Sequence, residues 1–253
     1  MPRAKRLLPE GCCFHITLRC NNRQFLITKK TSRDLILAII HKAKKKFSFK
    51  LYGICLMSNH LHLLLKPSIA DDLPKLMHWF AWYSAMSLNR LIGRCGHFWE
   101  ARYFSTPIFQ DDHHRILNTL RYIHANPKSA GIRKSFFDQY TNFGYYQRLL
   151  DDGISEWHPA FLKLATTLEK CSKTYYFFCQ RYRMKLKDKK LNKSYWGSKI
   201  LKNISKFKKR KFNPDQQSLF LEDDISINPI PVEWQTIARR FRKINGFKKK
   251  DRI

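Results

Sequence analysis

The sequence predicts an α+β chain: a ferredoxin-like (RRM-like) sheet in the order β-α-β-β-α-β-α, followed by a basic, largely helical extension. Three observations predict it. Short runs of alternating apolar residues stand between runs with helical spacing. Two of the strand runs are consecutive, with a turn near Ser58-Asn59. From about residue 150 the apolar periodicity gives way to lysine-rich clusters. Strands separated by helices, with one hairpin in the middle, suit an antiparallel sheet with helices on one face. The chain then divides into a packed unit over 9–148 and an extension over 149–253.

Residues 12–19 (CCFHITLR) alternate and are partly β-branched, which predicts a strand, and the NNR that follows is a turn signal. Residues 32–46 place Leu35, Ile36, Ile39, Ile40 and Ala43 on one helical face. Thr31 or Ser32 is the expected cap, and lysines crowd the last turn, where the helix dipole favours cations. Residues 49–57 and 59–66 read as the hairpin. Residues 71–92 read as a long helix with Pro74 in its first turn. Residues 98–109 (FWEARYFSTPIF) read as a strand, and 112–125 as a helix closed by Asn126-Pro127. Residues 157–187 look helical, NPDQQSLFLEDDISINPIP reads as a polar linker, and WQTIARRFRKI as one more short basic helix.

Composition narrows the class of partner. The 253 residues carry 49 Lys+Arg against 19 Asp+Glu, a formal net charge of +30. A field of that sign draws polyanions, nucleic acid first. With 43% hydrophobic residues the chain can build a core, and it has no apolar run of membrane-spanning length. The N-terminal MPRAKRLLPEG lacks the apolar stretch of a signal peptide. Seven cysteines without a C-x-x-C pair fit reduced thiols. A soluble, cytoplasmic, nucleoid-associated protein with no membrane partner is the expectation.

The residues 54–66 (ICLMSNHLHLLLK) pose a chemical question. Side chains at i and i+2 of a strand share one face, roughly 6–7 Å apart along the chain. His60 and His62 can therefore converge on one metal ion while Leu61, Leu63 and Leu65 serve the core. The competing reading is two ordinary half-buried imidazoles bonded to carbonyls. Two histidines also make an incomplete site, which needs a further oxygen or nitrogen ligand. On the helix 112–125, Ile116, Leu117, Leu120 and Ile123 form the apolar stripe, and Tyr122 falls roughly opposite it. Asn118 and Asn126 lie one turn before and after Tyr122, and Asn126 can offer a carbonyl oxygen to a metal. The competing reading of Tyr122 is a solvent-facing or DNA-packing ring.

These residues resemble a known pattern. MSNHLHLLL resembles the HUH motif (His, bulky hydrophobe, His) of the single-tyrosine, IS200-like transposases, and HITLRCNN resembles their first strand. GHFWEARYFSTPI and LRYIHANPKSAGI resemble two further blocks. The REP-associated tyrosine transposases are the closest branch, and the resemblance covers about residues 9–135. It implies a divalent cation, Mg²⁺ or Mn²⁺, held by His60 and His62 and completed by Asn126. It implies Tyr122 as nucleophile in cleavage and transfer of single-stranded or hairpin DNA through a 5′-phosphotyrosine. Ser58 departs from the usual Pro, and Lys128-Ser129 from a more typical pair. The resemblance leaves both a homodimer and a monomer open and is silent on the extension.

For binding, Arg19, Arg23, Arg94, Arg102 and Arg121 surround these blocks, and Phe98, Trp99, Tyr103 and Phe104 interleave with them. Arginines meet phosphates and aromatics stack on unpaired bases. Tyr103 is the aromatic assigned to DNA, whereas Trp99 reads better as core. The rival functions are a domesticated hairpin-binding protein that does not cut, an RNA-binding module on the same fold, and a replication or relaxase-type nuclease.

Overall fold

The computed structural model describes residues 8–182, 232–248 and 251. Its elements are β1 (Cys12–Arg19), α1 (Lys30–Lys46), β2 (Phe49–Leu56), β3 (His60–Pro67), α2 (Leu73–Ile92), β4 (Phe104–Phe109), α3 (His113–Ser129), α4 (Phe143–Arg148), α5 (Pro159–Leu162), α6 (Leu168–Gln180) and α7 (Val232–Asn245). One antiparallel sheet has the order β2-β3-β1-β4, as a ferredoxin-like chain requires. The basic clusters between residues 183 and 231 lie outside the described residues.

The expected alternation is present on the central strands. Phe14, Ile16 and Leu18 of β1 and Leu61, Leu63 and Leu65 of β3 face α1 and α2 in one apolar cluster. The opposite face is not bare. Cys13 and Leu64 pack there against Ile116, Leu120 and Ile123 of α3. Helices therefore cover both faces, not one, and this difference makes the site, because α3 carries its polar side across the histidine face. Gly53 permits the approach. A Cβ there would lie 3.1–3.2 Å from Leu120, Leu64 and Ile123, and the β2–β3 register slips at this point.

Four boundaries differ from the sequence reading, each for a local reason. Helix α1 begins at Lys30 after Lys29, so Thr31 and Ser32 sit inside its first turn and neither caps it. Only 104–109 of the expected strand 98–109 is paired as a strand. Phe98 and Trp99 are apolar because they fill the core, and Trp99 makes only an isolated bridge to Cys20. Pro107 is tolerated because β4 is an edge strand. Helix α3 runs through Asn126-Pro127 to Ser129. Proline removes the N–H that would bond the Ile123 carbonyl, and the Asn126 side-chain amide donates instead to Ile123 O (3.4 Å) and Tyr122 O (2.8 Å). The span 157–187 resolves into α5 and α6, and its last residues lie outside the described set.

The core continues past residue 148. Phe161, Cys171, Tyr175 and Cys179 belong to the same cluster as the inner face of α3. Helix α7 lies against α1, with Phe241 fully buried and Arg242 Nε 2.9 Å from Asp34. All seven cysteines are free, six of them buried. Among the described residues no helix is long and apolar enough to cross a membrane.

Candidate active site

The sheet register assembles the site. On β1–β3, Thr17 stands opposite His62 and Arg19 opposite His60. Directly opposed residues share a face, so the histidine face also carries Arg19, Thr17 and, two residues before Thr17, His15. The His60 and His62 rings are 4.9 Å apart by centroid. His15 stacks on His62 at 5.2 Å. Its Nε2 lies 3.0 Å from His62 Nδ1, and Thr17 Oγ1 lies 3.2 Å from the same nitrogen.

Asn59 sets the other ring. Its side-chain N–H donates to Arg23 O at 3.1 Å, which turns Oδ1 toward His60 Nδ1 at 2.7 Å. An amide oxygen only accepts, so His60 carries its proton on Nδ1 and keeps the Nε2 lone pair. A proton on His62 Nδ1, shared with His15 Nε2 and Thr17 Oγ1, leaves His62 Nε2 in the same state. Burial lowers the pKa of His15 and of His60 to about 4, with the Arg19 charge adding to the effect at His60. Burial drives His62 further below the usual imidazole value, helped by His60, His15 and Arg19. All three rings are neutral at neutral pH, the state a metal ligand requires.

Tyr122 completes the arrangement from the other side. It projects from α3, 41% exposed, with its ring 5.6 Å from His62 and 5.9 Å from His15, edge-on to both. Its helix is held from behind. The buried His124 has Nε2 2.8 Å from Asn142 Oδ1 and Nδ1 2.9 Å from the Tyr175 hydroxyl on α6. Arg121 bonds Phe178 O at 3.2 Å and places its guanidinium 4.0 Å over the Phe178 ring. His124 therefore faces the core and is no partner for the phenol.

Asn126, one turn beyond Tyr122, is half-buried, and its N–H side bonds the helix carbonyls. That orientation leaves Oδ1 as the end able to meet a cation. Among the described residues no three His, Cys, Asp or Glu side chains are arranged as a metal centre. The two neutral imidazoles of His60 and His62 are by themselves an incomplete set for Mg²⁺ or Mn²⁺, which needs further oxygen ligands from an amide, phosphate or water.

The expected DNA contacts separate by position. Arg19 lies on the histidine face; Arg23 and Arg102 are exposed. Arg94 bonds Asn89 Oδ1 and His97 O and holds its own loop. Arg121 is engaged with α6. Tyr103 is 6% exposed and packs in the core, so its ring has no open face for a base. Trp99 is core, as expected, donating its N–H to Ser84 Oγ at 3.0 Å. Sequence reasoning missed His15, Thr17 and Asn59 as site residues. The signal for the first two was present: HIT repeats on β1 the i, i+2 polar pair of HLH on β3.

Residues 10–126 match the model of the family described as "Transposase IS200 like". The matched segment runs from just before β1 to Asn126 and is similar to that family over this part of the chain. No curated protein sequence matches the chain. Among solved structures the chain is similar to one described as "Structure of the REP associates tyrosine transposase bound to a REP hairpin". Identity to it is 20% and the TM-score 0.45, over 62% of this chain and 89% of that one.

Proposed function

We propose that this protein cuts and rejoins single-stranded DNA beside hairpins, with Tyr122 as nucleophile. The observation that carries the reading is the Tyr122 ring standing 5.6 Å from His62 across a face otherwise given to imidazoles. A tyrosine that served only packing would lie on the apolar stripe of α3. The net charge of +30 supports a polyanionic substrate.

The Tyr122 oxygen attacks the scissile phosphorus, and the bond from phosphorus to the 3′-oxygen breaks. The DNA is then joined to the enzyme through a 5′-phosphotyrosine, and the 3′-oxygen leaves as a hydroxyl. The phenol proton passes to solvent and the leaving oxygen takes one up. Attack by a 3′-hydroxyl on the phosphotyrosine reverses the step and joins strands, so no nucleotide cofactor enters. His60, His62 and Asn126 are the residues that would hold Mg²⁺ or Mn²⁺, which supplies Lewis-acid stabilisation of charge on the phosphate. Asn59, His15 and Thr17 fix the imidazole tautomers, and α6 fixes the helix that presents Tyr122. Arg19 adds positive charge beside His60.

The test is a denaturing-gel assay with labelled hairpin oligonucleotides bearing single-stranded tails, in Mg²⁺ or Mn²⁺. A metal-dependent covalent protein–DNA band is expected, lost in Tyr122→Phe and in His62→Ala. A band that persists in Tyr122→Phe assigns the nucleophile elsewhere. Tight binding with no band on any tailed hairpin would replace cutting by hairpin binding alone.

A further inference from the structure

Of the four aromatics in the block 98–104, three are buried and one is not. Phe104 is 67% exposed at the start of the edge strand β4. Its cross-strand partner is Thr17, which in turn stands opposite His62. The Phe104 ring therefore lies on the histidine face, in the same row as His62. Phe109 is also exposed, but it pairs with Cys12 and belongs to the other face. Edge exposure explains both rings; placement beside the site is peculiar to Phe104.

A second observation is independent of this one. The inner stripe of α3 rests on β2 and β3, over Gly53 and Leu64. Where α3 faces β1 an open cleft of about 590 Å³ remains, with His15 on one side and Arg115, Thr119 and Tyr122 among the helix residues on the other. These helix positions recur at i, i+4 and i+7, so they form one wall about 10 Å long. The lining side chains all bear polar groups, and one of them is the Arg115 cation. The acid in the lining, Asp112, accepts from the Arg115 backbone N–H with Oδ1 and caps the helix. Such a wall suits a ligand with phosphate and ring groups better than an apolar molecule.

We propose that this trough takes the unpaired DNA strand flanking the cleaved bond, with a backbone phosphate facing Arg115, and that one base of the same strand stacks on Phe104, which stands outside the trough's lining on the same sheet face. The inference rests on the strand-cutting reading and names how that site holds its substrate. An aromatic face stacks on any base, so Phe104 contributes affinity with little sequence preference. Arg115 contributes a salt-dependent term.

The test uses the full chain carrying Tyr122→Phe, so that binding is read without cleavage. The probe is a fluorescein-labelled hairpin with an oligo(dT) tail, read by anisotropy, with an abasic site placed at each tail position in turn. Phe104→Ala is expected to weaken binding about 5- to 150-fold, the range for loss of one stacked base. Phe104→Trp restores it, and Trp82→Ala, an exposed aromatic on α2, leaves it unchanged. One abasic position should cost the Phe104-bearing protein as much as the alanine variant loses, and cost the Phe104→Ala protein nothing further. Arg115→Gln should lower the salt slope by about one phosphate contact. The inference is overturned if Phe104→Ala binds as tightly as its parent. Losses that add at every abasic position overturn it too. A covalent band from the unmutated chain together with additive losses leaves the cutting reading standing and removes this one. Coupling at Phe104 without any covalent band does the reverse, and no measurable affinity for the tail removes both.

Discussion

Tyr175→Phe removes one oxygen from the back of the nucleophile's helix. Tyr175 is fully buried on α6, and its hydroxyl lies 2.9 Å from His124 Nδ1. The other imidazole nitrogen is fixed independently. Asn142 donates through its amide to Tyr52 O (2.8 Å) and Ser155 Oγ (3.1 Å), so its Oδ1 accepts from His124 Nε2. His124 Nδ1 is therefore the lone-pair nitrogen, and the tyrosine O–H donates to it. Burial holds the ring neutral, with its pKa lowered to about 4. Replacing the tyrosine keeps the packing ring but leaves a buried acceptor unmet, which costs about 1–3 kcal/mol. For a chain of this size that is a Tm drop of roughly 2–12 °C, read by calorimetry or circular dichroism. Arg121 and His124 bracket Tyr122 in sequence, so covalent adduct formation should slow more than DNA affinity falls. An unchanged Tm would refute the hydrogen-bond assignment. A Tm drop with an unchanged adduct rate would refute the link from α6 to Tyr122.

Other consequences are as direct. Gly53→Val should push α3 off the sheet, because Leu120, Leu64 and Ile123 already lie 3.1–3.2 Å from the position of a Cβ; overpacking of this kind costs about 1–3 kcal/mol, measurable by urea denaturation. Stability should fall as pH drops from 6.5 toward 4. His15, His60, His124 and His158 all have folded pKa values lowered to about 4 by burial. In that window the unfolded chain binds protons that the folded chain does not. Stability is full above the unfolded imidazole value and is lost progressively below it, which a pH series of Tm values reads. Mn²⁺ should raise the Tm in proportion to the logarithm of its concentration once above Kd, and His62→Ala should abolish that rise without any DNA present. Arg242→Ala should loosen α7 from α1 by leaving the buried Asp34 carboxylate without its ion-pair partner, seen as faster proteolysis within α7.

Residue order alone encodes most of the strands and helices and the chemistry each could offer. Alternation at His60–Leu65 separates a core face from a chemical face because a strand repeats every two residues, and this holds whatever packs against it. The stripe Ile116–Leu120–Ile123 likewise places Tyr122 away from the core through the helical repeat alone. The ends of elements were less legible. The Pro127 break disappears because an asparagine side chain supplies the missing donor. The strand at 98–103 disappears because apolar residues there answer to burial and not to pairing.

Tertiary structure alone decided which polar residues meet. His15 and Thr17 join His62 only through the β1–β3 register, a contact between residues 45 and 47 positions apart. Tyr122 reaches the histidines only because α3 crosses the sheet face opposite α1 and α2, over a glycine that lets it close. Arg121 and Tyr103 were candidates for DNA by their place beside the motif blocks; one is held by α6 and the other is packed in the core. Short-range periodicity fixes which way a side chain points along its own element. What it points at depends on contacts between distant segments, and those follow from how the apolar faces are buried together.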